Sequence, residues 1–482
     1  METLYRQRLN RYLTAMRNEK PDMVPIRPFV AEFTAKYAGF TCQEVTHDYN
    51  KAFIAARRCA AEFDWDAVVS NMVYVWTGLT QAIGLTYYGV PGIDVPPDTG
   101  FQYREPSEDD AFMKADEYDA LIDDPTAFLY NTWLPRVSAD IRPLASGTMD
   151  AHTSYRNNLA LVKGAMAMNT YFSAFGPHVD LLRKECGTVS AIAGIYKAPF
   201  DILADKLRGY IGLTMDMVQQ PGKVLKACEA LMPHLYNVAL TSSDPNHQVP
   251  IGYWMHRGCI PFVSKGQFES HYWPTTRPII EELWRNGHQT LFYAEGDWGH
   301  HLDSFAELPD ASIVYHVDRG DILKTHEKLG HKFCLSGGIS NYLLAYGTPD
   351  QVRAACKMAI EGVGRDGGYI LDASAIMQND TSVDNMRAMT EAAREYGVYS
   401  GVSPRLADLD ETIIPATGVT YPTRYGMPET APLKVPAGAC IPWAEKRAEI
   451  SQITGDADLA QRIWEEIDAM ANGFIWQVLL SF

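Results

Sequence analysis

The chain has 482 residues, of which 46% are hydrophobic and 21% charged, which is the composition of an ordinary globular protein. Its net charge of −17 argues against nucleic acids and anionic membranes as partners, because both require basic surfaces. The charged first twenty residues do not resemble a secretory signal, and no run of about 18 apolar residues is present to span a bilayer. Eight scattered cysteines without a CxxC pair indicate reduced thiols, so we expect a cytoplasmic protein.

Short apolar runs alternate with longer helical patterns along the chain. The alternation begins with an apolar run at 24–30 and a helical pattern at 43–63. It is interrupted by an excursion rich in Pro, Gly and acidic residues, followed by a mostly helical stretch over 150–186. It then resumes and ends with a helix at 382–397. The predicted strands are 24–30, 66–72, 189–195, 251–257, 290–297, 311–318, 332–339 and 367–374.

Eight strands, each followed by a helical pattern, predict an α/β fold with parallel pairing, specifically a closed (β/α)₈ TIM barrel. The alternative is an open doubly wound sheet, which requires a Gly-rich phosphate turn after an early strand, and the chain has none. We therefore expect one barrel domain over 1–482, with an N-terminal helical insertion at about 90–186 and a C-terminal extension at about 400–482.

Polar residues follow the predicted strands at their C-terminal ends, where the chemistry of a TIM barrel takes place. These residues come from separate parts of the chain, and the barrel would bring them around one mouth. They are Arg27, Asn71, His256, Arg257, Glu295, Asp297, His316, Asp318 and Asp372.

A metal site at this mouth is one interpretation of the pattern. Glu295, Asp297 and His316 offer the nitrogen and oxygen ligands that zinc accepts. No HxxEH-type or cysteine-based spacing supports such a site, and a single histidine such as His316 is often structural.

The segments 256–297, 318–360 and 367–389 resemble the uroporphyrinogen decarboxylase superfamily, and within it the corrinoid-dependent methyltransferases of aryl methyl ethers. The resemblance extends over about 185–397, and its most specific parts are GTPDQV and SVDNMRAM. It implies a (β/α)₈ barrel in which substrate and corrinoid meet at the C-terminal mouth. It also implies a homodimer.

Two departures from the superfamily patterns narrow the expected chemistry. Uroporphyrinogen decarboxylases carry a pair of arginines near the N-terminus, whereas this chain has Arg27 alone, which disfavours tetrapyrrole decarboxylation. Thiol-methylating members bind zinc through a His-x-Cys pair and a second Cys. The matching positions here are Tyr293, Glu295 and Ala375, so the resemblance implies no thiol-activating zinc.

The resemblance therefore predicts demethylation of an aromatic methyl ether, with the methyl group passed to the Co(I) corrinoid of a separate carrier protein. The departing phenoxide needs an acid or a Lewis acid at its oxygen. Glu295, held protonated, or His316 as imidazolium is expected in that role, with Asp318 nearby and Tyr293 packing the ring.

Substrate binding is expected from the remaining residues at the strand ends. These are Arg27, Asn71, His256, Arg257 and Asp372.

Two alternative functions stay open. One is a lyase that clamps a carboxylated aromatic or tetrapyrrole between Arg27 and Arg257, and the other is a non-catalytic barrel that binds a corrinoid or tetrapyrrole.

Overall fold

A computed structural model gives the structure of the protein and describes residues 1–69, 77–142, 151–414 and 435–480. The strands are β1 Ala67–Val68, β2 Tyr88–Gly89, β3 Gln102–Tyr103, β4 Val189–Ser190, β5 Ile195–Lys197, β6 Ile251–Met255, β7 Thr290–Ala294, β8 Ile313–Val317, β9 Cys334–Gly337 and β10 Tyr369–Ile370. Six parallel strands form the main sheet, in the spatial order β10-β9-β8-β7-β6-β5. Two short two-stranded sheets, β1–β4 and β2–β3, accompany it.

Backbone hydrogen bonds close this sheet into a barrel. The segment 24–30 joins the β10 side, since the Leu371 N–H donates to the Pro25 carbonyl over 2.9 Å. The same segment joins β1, since the Val69 N–H donates to the Pro28 carbonyl over 3.1 Å. Strand β1 pairs in parallel with β4, which continues in the same chain segment into β5. The predicted (β/α)₈ barrel is therefore confirmed. The predicted strand 66–72 is seen at Ala67–Val68, and residues 70–72 lie outside the described residues.

Twenty-one α-helices are described. They are α1 Glu2–Met16, α2 Glu32–Ala38, α3 Cys42–His47, α4 Tyr49–Glu62, α5 Thr77–Ile83, α6 Tyr118–Asp123, α7 Pro125–Phe128, α8 Leu134–Val137, α9 Ala151–Leu181, α10 Pro199–Ile202, α11 Tyr210–Gln219, α12 Pro221–Thr241, α13 Lys265–Gln267, α14 Trp273–Arg285, α15 Leu302–Phe305, α16 Ile322–Leu329, α17 Asn341–Tyr346, α18 Pro349–Gly362, α19 Val383–Tyr396, α20 Trp443–Glu449 and α21 Ala457–Leu480. Short π-helical turns cover Leu129–Trp133, Leu182–Cys186, Leu203–Leu207 and Phe268–Tyr272, and 3₁₀ turns cover Gly299–His301 and Gly364–Asp366.

Local sequence explains where these helices begin. Thr348 caps α18 in a capping box with Gln351, and Pro349 occupies the first turn, as the sequence predicts. The predicted helix 43–63 is two helices, because the side chain of Asp48 accepts the N–H groups of Asn50 and Lys51 and starts α4 anew. No helix in the described part of the chain is long and apolar enough to cross a membrane.

The barrel strands alternate in the direction of their side chains, as strand geometry requires. Tyr253, Phe292 and Tyr315 belong to the larger hydrophobic cluster, which includes residues of the surrounding helices. The smaller cluster contains Phe29, Trp254, Leu291, Tyr293, Val314 and Cys334, which alternate with the first set and fill the inside of the barrel.

The C-terminal helix α21 packs on the insertion, where Trp476 Nε1 donates to Thr126 Oγ1 over 3.0 Å.

Candidate active site

Two adjoining cavities open at the C-terminal end of the barrel strands. The polar compartment has a volume of about 520 Å³ and is lined mainly by charged residues: Lys197, Asp205, Lys206, His256, Arg257, Glu295, Asp297, Asp318 and Arg319. The aromatic compartment has a volume of about 190 Å³, and its walls include Tyr88, Phe101, Tyr103 and Trp254. Both share Tyr88, Tyr103, His256 and Glu295, so these four residues form the boundary between the compartments.

His256 lies between two carboxylates at this boundary. Its Nδ1 is 2.9 Å from Oδ2 of Asp205, and its Nε2 is 3.6 Å from Oε2 of Glu295. A carboxylate only accepts hydrogen bonds, so Nδ1 carries a proton and donates it to Asp205. Nε2 is buried and makes no hydrogen bond of normal length to any described residue. The free Nε2 atom of an oriented imidazole therefore lies beside the Glu295 carboxylate where the two compartments meet.

Asp205 orients this histidine from a buried position. Burial would raise its pKa, but the hydrogen bond from His256 and the charges of Lys197, His256 and Arg257 hold the pKa of the Asp205 carboxyl below its ordinary value. Arg257 Nε donates to Asp205 Oδ1 over 2.6 Å, and Arg257 Nη2 donates to Glu105 Oε2 over 3.0 Å. Asp205 is therefore a fixed negative charge that keeps the imidazole in one orientation, as in other Asp–His pairs.

A π-helical turn delivers Asp205 to this position. The helix after β5 begins at Pro199 and widens into the turn Leu203–Leu207, which carries Asp205 and Lys206 side by side. One turn earlier, Asp201 accepts the backbone N–H groups of His256 and Arg257 over 3.1 and 2.8 Å. Burial raises the pKa of Asp201 to about 6. Such wide turns often occur at functional sites.

Several predicted site residues line the polar compartment. Glu295, His256, Arg257, Asp297 and Asp318 are all part of its wall. Asp318 Oδ2 accepts the Gly296 N–H over 2.8 Å, and burial raises the pKa of this carboxyl. Asn71 lies outside the described residues.

The remaining predicted residues form a separate buried group inside the barrel. Arg27 Nη2 lies 3.0 Å from Asp372 Oδ2 and 2.9 Å from Ser336 Oγ. His316 Nδ1 is 2.9 Å from Ser336 Oγ, and its ring stacks on Tyr293 with centroids 4.3 Å apart. All these side chains are essentially inaccessible to solvent. None of Arg27, Tyr293, His316 and Asp372 lines either compartment.

This burial corrects the expectation that His316 acts as a charged acid. Burial and the charge of Arg27 hold the pKa of His316 well below its ordinary range, so it is a neutral imidazole rather than the expected imidazolium. Its Nε2 lies 3.0 Å from the Ser374 carbonyl, so both ring nitrogens already have partners in the protein.

The expected metal set is not assembled either. Glu295 and Asp297 line the polar compartment, whereas His316 is enclosed in the barrel. Within the described ranges, no three His, Cys, Asp or Glu residues are grouped so that they could hold a metal ion. The residues present therefore do not fit the predicted zinc site.

Sequence reasoning missed Lys197, Asp205, Lys206 and the aromatic residues of the insertion. The predicted strand 189–195 stopped two residues before Lys197, which is the last residue of β5. Asp201 and Asp205 lie four residues apart shortly after the predicted strand 189–195, a spacing that puts both on one face of a helix, and that spacing was the available signal. Tyr88 and Tyr103 come from the β2–β3 hairpin, whose place over the barrel no local pattern indicates.

A closed barrel with a polar cleft at its C-terminal mouth is an architecture typical of enzymes. The model of the uroporphyrinogen decarboxylase family matches residues 156–396, which is half of the chain. The protein belongs to the uroporphyrinogen decarboxylase family, as its sequence segments predict.

The solved structures with a similar fold include a methyltransferase from Methanosarcina mazei. That protein is 14% identical, the match covers 80% of this chain and 98% of the methyltransferase, and the TM-score is 0.52. This likeness concerns the fold. No curated protein matches the sequence.

Proposed function

We propose that this protein is a methyltransferase that demethylates an aromatic methyl ether and passes the methyl group to the Co(I) corrinoid of a separate carrier protein. Family membership and the methyltransferase among the similar folds support a role in methyl transfer. The aromatic ether and the corrinoid carrier are proposed from the sequence resemblance, and the aromatic walls of the smaller compartment support an aromatic substrate.

The observation that carries the proposal is the placement of His256 between Asp205 and Glu295 at the boundary of the two compartments. In the proposed reaction the bond between methyl carbon and phenolic oxygen breaks, and its electron pair stays on the oxygen. The methyl carbon bonds to cobalt through the electron pair of Co(I), and the His256–Glu295 pair gives its proton to the phenolic oxygen. Without that proton, phenoxide is a poor leaving group.

The aromatic compartment offers a fitting place for the ring. Tyr88, Phe101, Tyr103 and Trp254 supply flat apolar faces, and aromatic rings pack well against such faces in edge or offset geometry. A ring seated there would direct a methoxy group towards His256 and Glu295, because these residues belong to the same wall. The larger polar compartment would then give the corrinoid access to the methyl carbon.

Two assembly proposals accompany this function. The carrier docks over the barrel mouth of a homodimeric enzyme. The net charge of −17 favours electrostatic attraction to a basic carrier surface. The eight free cysteines suit a reducing compartment, so we also propose the cytoplasm.

The rival functions have less support from the geometry. A lyase that clamps carboxylates between Arg27 and Arg257 would need both guanidinium groups in the cavity. Arg27 is instead enclosed and paired with Asp372, and Arg257 is already paired with Asp205 and Glu105. A purely binding barrel has no need of a histidine held by one buried carboxylate with its second nitrogen beside another.

The test is an anaerobic reaction of the protein with a methoxyarene and a carrier whose corrinoid has been reduced to Co(I). Conversion of the Co(I) absorbance to that of methyl-Co(III), with release of one phenol per methyl group, is the expected result. Release of carbon dioxide from a carboxylated substrate without methylation of cobalt would contradict the proposal and support the lyase.

A further inference from the structure

Two carboxylates of one helical segment bind the same pair of residues just beyond β6. Asp205 binds their side chains, since it accepts hydrogen bonds from His256 Nδ1 over 2.9 Å and from Arg257 Nε over 2.6 Å. Asp201 binds their backbone, since it accepts the His256 N–H over 3.1 Å and the Arg257 N–H over 2.8 Å. Asp201 is fully buried and is not part of the wall of either compartment.

The chain beyond β6 needs such a partner because the neighbouring strand has already ended. Strand β5 ends at Lys197, and the chain then turns into the helix that begins at Pro199. The strand is therefore over before it reaches the N–H groups of His256 and Arg257. A buried N–H group without an acceptor is costly, and the two oxygens of Asp201 satisfy both of these.

A third donor also reaches this carboxylate. The hydroxyl of Tyr272 donates to Asp201 Oδ2 over 3.0 Å. An ionised carboxylate can accept all three hydrogen bonds, whereas an amide in its place would put a donor among donors. Burial raises the pKa of Asp201 to about 6, so the carboxyl is ionised at pH 7 and binds the backbone through charge-assisted hydrogen bonds.

The backbone bonds help to decide where the ring of His256 lies. The bond to Asp205 fixes one ring nitrogen, and the bonds to Asp201 fix the backbone from which the ring extends. Both carboxylates belong to the helical segment after β5, four residues apart, so their distance from each other is set by that segment. With both ends of the side chain fixed, Nε2 lies 3.6 Å from Oε2 of Glu295.

We infer that Asp201 is a positioning residue, which holds the backbone of His256 and Arg257 so that the imidazole meets Glu295 where the two compartments join. Asp201 acts only through His256 and contacts no bound molecule. For the reaction that this placement serves, the inference rests on the proposed function.

The ring proton on His256 Nδ1 reports the placement without substrate or carrier. Proton NMR of protein labelled with ¹⁵N-histidine detects this proton, and its loss in His256→Asn assigns the signal. In Asp201→Asn an amide donor faces a backbone N–H group, so part of the backbone anchor is lost. We expect the signal to shift and the proton to exchange with water about 10-fold faster or more.

Asp468→Asn is the matched control. Asp468 of α21 also accepts two consecutive backbone N–H groups, those of Cys440 and Ile441, over 2.7 and 3.2 Å. It is 9% exposed and is not part of the wall of either compartment. The same loss of a buried carboxylate at this place should leave the His256 signal and the chemical step unchanged.

Activity gives a second measurement, which a merely structural role would not affect in the same way. Asp201→Asn should slow single-turnover methyl transfer by about 100-fold, the cost of a misplaced reacting group, with the dissociation constant of the methoxyarene unchanged. In a Glu295→Gln background the same change should cost little more, because His256 then has no acid to align with. Losses that multiply in full would overturn the inference.

Hydrogen exchange on the unaltered protein does not depend on how a variant folds. The N–H groups of His256 and Arg257 lie beyond the last residue of β6, so their protection depends on Asp201. Both should exchange far more slowly than in an unfolded chain. Exchange at the unfolded rate, or an unchanged Nδ1 proton signal in Asp201→Asn, would also overturn the inference.

These outcomes are separate from those of the proposed function. Methyl transfer at equal rates by the wild-type and Asp201→Asn proteins would keep the methyltransferase and remove the positioning role. A changed His256 signal in Asp201→Asn, with no methyl transfer to cobalt by the wild-type protein, would keep the placement of His256 by Asp201 and remove the methyltransferase.

Discussion

Nε2 of His256 lies 3.6 Å from Oε2 of Glu295, while Nδ1 of the same ring lies 2.9 Å from Oδ2 of Asp205. His256 follows β6, Glu295 follows β7, and Asp205 lies in the helical segment after β5. The barrel fold therefore brings the three side chains together. Asp205 fixes the orientation of the ring, and the outer contact brings Nε2 and a carboxylate together where both cavities meet.

Replacement of Glu295 by glutamine keeps the shape of the side chain and removes the acid. Loss of a general acid typically slows the chemical step by about 10²–10⁴-fold, and that loss is expected here, with methoxyarene binding unchanged. Single-turnover absorbance measurements with a methylatable carrier report the step. Glu327→Gln, at an exposed position of α16, is the matched control. A Glu295→Gln variant that reacts at the wild-type rate would falsify the assignment.

Replacement of His256 by asparagine tests whether His256 and Glu295 act as one unit. The asparagine amide reaches the place of Nδ1 and keeps the bond to Asp205, but nothing remains at Nε2. We expect a loss of similar size to that of Glu295→Gln, and the double variant should lose little more, since residues that act together are not additive. Fully multiplicative losses in the double variant would mean that the two residues act independently.

Replacement of Asp372 by asparagine tests the buried group inside the barrel. This change leaves the Arg27 charge enclosed without its carboxylate, and breaking a buried pair costs about 3–5 kcal/mol. Urea unfolding followed by circular dichroism measures the loss. Asp366→Asn removes an exposed ion pair with Lys20 and should cost less than about 1 kcal/mol. Normal stability in Asp372→Asn, combined with lost activity, would instead give Asp372 a catalytic role.

The buried carboxyl of Glu32, in the wall of the aromatic compartment, should make the stability of the fold depend on pH. Burial raises its pKa from 4.5 to about 7, so the folded protein binds a proton there that the unfolded chain releases. The contribution of this group to stability is complete at low pH and is lost as pH rises towards and through 7. Glu32→Gln should therefore gain stability relative to wild type between about pH 5 and about pH 8. A constant difference in the free energy of unfolding would contradict this.

The proposed carrier complex predicts sensitivity to salt. Attraction between the acidic enzyme and a basic carrier surface weakens with ionic strength, so co-elution in size-exclusion chromatography should fade as salt increases. Co-elution that is equally strong at high salt would point to an apolar interface instead.

The barrel was predictable from sequence because strand and helix patterns are local. The apolar run at 290–297 ends at Glu295, and the structure ends β7 at Ala294 and places Glu295 in the cavity wall. How deeply each residue is buried could not be predicted from these local patterns. His316 and Glu295 both follow apolar residues, yet His316 is still within β8 and faces inward, while Glu295 lies just beyond its strand.

Local sequence patterns also could not predict which residues meet His256 and Glu295 in the cavity. Asp205 reaches His256 through a π-helical turn, and Tyr88 and Tyr103 reach the cavity through a hairpin of the insertion. Both depend on how distant segments pack on the barrel, which single-segment periodicity does not encode. The grouping of Arg27 with Asp372 likewise depends on the closure of the barrel between its first and last strands.

The central claim is methyl transfer from an aromatic ether oxygen to cobalt, and an isotopic experiment tests it most directly. A methoxybenzoate and a neutral methoxyarene, each labelled with ¹³C in the methoxy methyl group, are incubated separately with the enzyme and a Co(I) carrier, and the carrier is examined by NMR. We expect the label to appear on cobalt in an amount equal to the phenol released, and the rate to fall in Glu295→Gln. A label that stays in the ether with both compounds, while the carrier binds normally, would contradict it.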